Sequence, residues 1–176
     1  MALNMSEELQ ARPDCCCKSL PDLAVVPMGG DGLDERVFAS LDQILAHGGD
    51  QWWLYISSCQ VCSQSWMIAQ DERIYDNFYL RRLSPSVCRE IVENAHWPDE
   101  FLTYEQVLRL GRTMSRPVTF LDPRSPALVC TAEDLRRERA RISLEEISYL
   151  LAIPVSDAAN LTCGMCANSA RQLCRG

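Results

Sequence analysis

Histidine is scarce in this chain, and so are the usual signatures of catalysis. Only His47 and His96 occur in 176 residues. His96 stands beside Trp97-Pro98, and neither histidine sits in a local Cys–His or metalloprotease pattern. Gly29-Gly30-Asp31-Gly32 is not followed by Lys-Ser/Thr, so it is not a phosphate loop. No apolar run approaches the roughly 20 residues that a membrane-spanning helix needs. The start, Met-Ala-Leu-Asn-Met-Ser-Glu-Glu, has neither the basic residues nor the apolar block of a secretory signal. The expected location is therefore cytoplasmic. Positive charge is also in short supply. The net charge is −7, and residues 1–50 hold nine acids against three bases. Bulk attraction to nucleic acid or anionic lipid is not expected from such a balance.

What is abundant is cysteine, with ten residues. In a reducing compartment that count points to metal ligation rather than to a disulfide framework. Apolar residues make up 47% and charged residues 23%, the balance of an ordinary globular protein with a sizeable core. The expected organisation is a flexible, acidic N-terminal segment over residues 1–30, then a single α+β domain over residues 31–176. Pro13, Pro21, Pro27 and Gly29-Gly30 break up the first segment, although Leu23 to Val26 can add a short strand. Three adjacent cysteines, Cys15-Cys16-Cys17, cannot all reach one tetrahedral metal. They read as reduced thiols of a mobile tail.

Apolar Val37, Phe38, Leu41, Ile44 and Leu45 share one face at helical spacing. They predict an amphipathic helix from Asp34 to His47, stopped by Gly48-Gly49. Three strands follow, Trp52–Ser57, Ser65–Gln70 and Arg73–Leu80, forming a small antiparallel meander. Ser84-Pro85 opens a helix to about Asn94. Thr103 and Gln106 form a capping box for a helix from Tyr104 to Met114. Pro117 to Leu121 and Ala127 to Cys130 are candidate short strands. Thr131 caps a charged helix to about Arg141, and a second capping box, Ser143 with Glu146, opens a helix to Leu151. A short helix after Ser156 and another over Ala167–Arg175 complete about six helices around the meander.

The strongest chemical signal is Cys59-Gln60-Val61-Cys62, placed between two strands. Two intervening residues let the backbone fold so that amides point at the sulfurs, and zinc takes four thiolates in a tetrahedron. These residues resemble the knuckle of zinc-ribbon and rubredoxin-type folds: strand, Cys-x-x-Cys, small polar residue, strand. The resemblance is local, and Ser63 stands where such knuckles often carry Gly. A second pair, Cys163-Gly164-Met165-Cys166, precedes a predicted helix, whose N-terminus favours thiolates. The resemblance implies one structural Zn2+ held by Cys59, Cys62, Cys163 and Cys166, with iron as the other metal for such a ligand set. Cys88, Cys130 and Cys174 are expected to be structural, with Cys174 a reserve ligand.

The remaining features give weaker signals. Residues 143–161 resemble a helix-turn-helix, but residues 155–162 carry Asp157 and no Lys or Arg. The arginines of residues 136–141 alternate with acids and read as a solvated face. Asp71, Glu72, Arg73 and Asp76 read as a polar turn or a partner contact. Trp52, Trp53, Trp66 and Tyr75 read as core and shielding around the site. The expected function is a non-catalytic, zinc-binding protein-interaction module, such as an immunity-type inhibitor of a toxin or a regulatory adaptor. A DNA-binding regulator using residues 143–161 and a thiol-disulfide enzyme centred on Cys59 are the rival classes.

Overall fold

A computed structural model describes residues 14–48, 53–71, 76–120 and 125–162. The fold is α+β, as expected, but its sheet is larger than a meander. Five antiparallel strands are ordered β1-β5-β4-β3-β2. They are β1 (Leu23–Pro27), β2 (Leu41–Ala46), β3 (Leu54–Cys59), β4 (Ser65–Gln70) and β5 (Asn77–Leu83). The described helices are α1 (Leu33–Phe38), α2 (Pro85–Asn94), α3 (Tyr104–Thr113), α4 (Pro126–Glu138), α5 (Leu144–Leu151) and α6 (Val155–Thr162), with a 3-10 turn at Asp99–Phe101. None of them is long and apolar enough to cross a membrane.

The period of two along each strand divides the apolar residues between two cores. Leu54, Ile56, Met67, Ala69, Tyr79 and Leu83 face one side. There they meet Ile91 of α2, Leu108 of α3, Leu128 and Leu135 of α4, Ile147 and Leu151 of α5, and Ala158 of α6. Ala24, Val26, Cys59, Trp66, Ile68, Phe78 and Leu80 face the other side. That side is covered by α1 and by the loop containing Cys15, Cys16, Cys17 and Leu20. Phe38 of α1 packs on Phe78 with ring centroids 4.6 Å apart.

Local signals explain several element ends. Ser84 and Ser125 cap α2 and α4 through their hydroxyls, each followed by Pro in the first turn. Both capping boxes form, Thr103 with Gln106 on α3 and Ser143 with Glu146 on α5. Gly111 in α3 is required by close approach. A Cβ there would lie 2.5 Å from Tyr79 Oη and 2.7 Å from the Arg116 carbonyl oxygen.

The segment 34–47 is not one helix. Only Leu33–Phe38 is helical, and Leu41–Ala46 becomes β2, paired to β3 with an irregularity between Gln43 and Leu45. Pairing along β3 outweighs the helical spacing of Leu41, Ile44 and Leu45, and Ile44 is exposed. Ala127–Cys130 is not a strand but the first turn of α4, because Ser125-Pro126 starts the helix there. Pro117 to Phe120 is irregular rather than extended in a sheet. The described part of the N-terminal segment, residues 14–30, forms a turn and β1 and lies against the sheet. The predicted helix over Ala167–Arg175 lies outside the described residues.

Candidate metal centre

The site is built from two pieces of chain on the smaller face of the sheet. The first is the knuckle. β3 ends at Cys59, whose side chain points into the smaller core. The chain then turns through Gln60, Val61 and Cys62. The Cys59 amide donates to the Gln64 carbonyl (3.0 Å) and the Ser63 amide donates to the Cys59 carbonyl (2.9 Å). Ser63 adopts φ 59°, the left-handed conformation that favours glycine. The chain thereby re-enters the sheet at Ser65 as β4. This is the strand–knuckle–strand order that the sequence predicts.

The second piece is the loop before β1. Its turn is closed by Ser19, whose amide and hydroxyl both donate to the Cys16 carbonyl (3.0 and 2.8 Å). Cys15 and Cys17 point to the knuckle, while Cys16 turns away toward the Arg36 carbonyl. Alternation of consecutive side chains thus resolves the crowding of three adjacent cysteines: two of them reach the site.

The four sulfurs of Cys15, Cys17, Cys59 and Cys62 all lie within 4.8 Å of one another. Cys15 Sγ is 3.2 Å from Cys62 Sγ and 3.5 Å from Cys59 Sγ. A tetrahedron of thiolates around zinc, with bonds of about 2.3 Å, places its sulfurs about 3.8 Å apart. The two closest pairs fall short of that value and no pair exceeds 4.8 Å, so the cluster has the size of a site for one tetrahedral ion. No protein family, curated protein or solved structure matches the chain.

Donors surround the sulfurs, as they do around thiolates that hold a metal. The Cys17 amide approaches Cys15 Sγ at 3.4 Å, and Trp66 Nε1–H donates to Cys17 Sγ at 3.3 Å. Burial pushes the Cys59 thiol up, but the Ser40 hydroxyl (3.5 Å), the amides of Cys62 and Val61, and Cys15 outweigh it and bring Cys59 down to about 6. The Cys17 thiol is driven the other way, chiefly by burial. Burial also raises Cys15, helped by hydrogen bonds with Cys62 and Cys59 and opposed by the Cys17 amide. A cation at the centre would change these preferences, because a coordinating thiol is deprotonated outright. Cys15 is partly exposed, Cys17 and Cys59 are buried, and Cys62 lies at the surface.

Of the expected ligands, the structure brings Cys59 and Cys62 together. Cys163 and Cys166 lie outside the described residues, as does Cys174. Among the described residues, Cys15 and Cys17 complete the cluster. By sequence they read as thiols of a mobile tail, and the signal that points to them is the Cys-x-Cys spacing itself. Cys88 is partly buried on α2, beside a groove of about 520 Å³ that also borders Cys62 and Ser63. Cys130 is buried in α4.

Trp53 and Trp66 are core residues, while Trp52 and Tyr75 lie outside the described residues. Asp71 and Asp76 do not form an exposed polar turn: both are buried. Asp71 accepts from the Asn77 amide (2.8 Å), Asn77 Nδ2 (2.7 Å) and the Tyr79 hydroxyl (3.1 Å). Glu72 and Arg73 lie outside the described residues. His47 follows β2 rather than ending a helix, and its ring meets Trp97 edge-on at 5.0 Å. α5 and α6 pack as a helix pair, with Ala152 left-handed at the turn and Ile147, Leu150, Leu151 and Ala158 buried. Tyr149 and Val155 are exposed on that pair.

Proposed function

We propose that this chain is a non-catalytic, metal-clamped module that works by binding another protein. One structural Zn2+, held by Cys15, Cys17, Cys59 and Cys62, ties the N-terminal loop to the β3–β4 knuckle. The observation that carries the metal reading is the convergence of four sulfurs from two distant pieces of chain. Four thiolates fill a tetrahedral ion, so the bound metal has no open position for substrate and serves structure. A helix N-terminus commonly activates the nucleophile of a dithiol centre; here a strand, β4, follows the Cys59–Cys62 turn. The protein-binding part rests on exposed apolar side chains near the site, Val61 at the knuckle and Val92 on α2 beside the groove. An immunity-type inhibitor and a regulatory adaptor are two forms of such binding that fit a chain of 176 residues with few catalytic patterns.

Metal analysis of the native protein tests the first half. The expected result is one equivalent of zinc, lost in Cys15→Ser and Cys59→Ser. Less than half an equivalent, with all four thiols open to alkylation in the folded protein, overturns it. Capture of a partner by wild-type protein, abolished in Val61→Asp with metal content unchanged, tests the second half. Capture that is indifferent to Val61→Asp and Val92→Asp moves the binding surface elsewhere.

A further inference from the structure

The inference that follows rests on the metal reading above and concerns the residue that sets up the site. Arg82 lies on β5, directly opposite Trp66 of β4 and on the smaller face of the sheet. Its guanidinium reaches both pieces of the site at once. Nη2 donates to the carbonyls of Cys17 (2.8 Å) and Leu20 (2.7 Å). Nε donates to Asp22 Oδ1 (3.0 Å), and Nη1 donates to Gln64 Oε1 (3.1 Å) at the foot of the knuckle. The guanidinium carbon stands 4.4 Å from the centroid of the Trp66 ring, whose Nε1–H donates to Cys17 Sγ. The Arg82 amide also donates to the Asp22 carbonyl (2.8 Å).

We propose that Arg82 is the positioning residue of the metal centre. It touches no sulfur. It fixes the Cys17 carbonyl directly and the Trp66 indole by stacking, so the Cys17 side chain is aimed before an ion arrives. Without that anchor, the loop would have to be ordered by metal binding itself, at a cost in affinity. The charge has a second role. Four thiolates around Zn2+ carry a net −2, and a fixed cation bonded to the Cys17 carbonyl offsets part of it. Planarity is essential to the arrangement. A lysine ammonium can supply the charge, but not a flat fork that serves four acceptors while stacking on an indole.

Cobalt(II) is the probe, since its thiolate absorption reports both ligand type and geometry. Wild-type protein and the variants Arg82→Lys, Arg82→Ala and Gln64→Ala are titrated, and the metal is then withdrawn with a chelator of known affinity. Arg82→Lys is expected to bind about 10- to 100-fold more weakly. It should keep the four-thiolate spectrum at saturation. Arg82→Ala should be weaker still, and Gln64→Ala intermediate. Gln64→Ala keeps the test alive if Arg82→Ala does not fold. Far-ultraviolet circular dichroism at saturation separates loss of affinity from loss of fold. If wild type shows the four-thiolate spectrum and Arg82→Lys binds within about threefold of it, the positioning role is overturned while the metal reading stands. If folded wild type takes up no cobalt, the metal reading itself fails.

Discussion

The two faces of the sheet are built on different principles. On one side, α2 to α6 cover the strands with a continuous apolar core from Trp53 to Ala158. Burial of that kind supplies on the order of 25 cal/mol for each Å² of apolar surface removed from water. On the other side lie one short helix, α1, and a cysteine-bearing loop. A small apolar cluster cannot offset much chain entropy, so a cross-link there has the most to contribute. Packing holds the face with helices to spare, and the four clustered sulfurs gather on the face that has only one short helix.

The largest expected effect breaks the smaller face alone. With free zinc about a thousandfold above its dissociation constant, binding adds about 4 kcal/mol to stability. Cys59→Ser should lose that increment entirely. Ile147→Ala, in the helical core, should lose about 2–5 kcal/mol of its own through a cavity. It should keep the zinc increment, because the two faces share no side chains at these sites. Denaturant unfolding with and without zinc measures both; an increment reduced in Ile147→Ala would mean that the faces are coupled. Next in size is Gly111→Ala. The added methyl meets the Arg116 carbonyl and Tyr79 Oη, and about 1–3 kcal/mol is expected to be lost whether or not zinc is present.

Acid should also distinguish the faces. In metal-free protein, Cys59 titrates at about 6, below the ordinary thiol value of 9.0. A group lowered on folding contributes stability that is complete above its unfolded pKa and is lost as pH falls through the folded one. The smaller face should therefore weaken between about pH 9 and 6, and Cys59→Ser should flatten that slope in thermal melts. The smallest effect is expected from Ser63→Gly. Relief of the left-handed backbone is offset by the greater freedom of glycine in the unfolded chain, so stability should rise by no more than about 1 kcal/mol. A loss greater than that would give the Ser63 side chain a role of its own.

Much of the helical face was legible because its signals are local. A Ser or Thr cap with Gln or Glu three residues on fixes the starts of α3 and α5 without reference to the rest of the chain. β4 fits its predicted span, Ser65–Gln70, and the knuckle lies where Cys-x-x-Cys places it. The smaller face was harder to read because it depends on distant pairing. Leu41–Ala46 has helical spacing and becomes a strand only because β3 lies beside it. β1 is legible as a short strand over Leu23 to Val26, but its partner β5 lies fifty or more residues away in the chain. Cys15 and Cys17 join the cluster through the same long-range closure, and their Cys-x-Cys spacing is the one local sign of it. Asp71 was misread for a related reason: its acceptors are satisfied by Asn77 and Tyr79 across a turn, so a carboxylate expected at the surface is buried.

The strand order has a further consequence for the order of synthesis. All five strands and all four clustered sulfurs lie between Cys15 and Leu83, while α2 to α6 lie between Pro85 and Thr162. A ribosome therefore delivers everything the smaller face requires before it delivers any helix of the larger one. A chain synthesised only as far as β5 already holds all four sulfurs of the cluster, with Leu54, Ile56, Met67 and Tyr79 still lacking the helices that cover them.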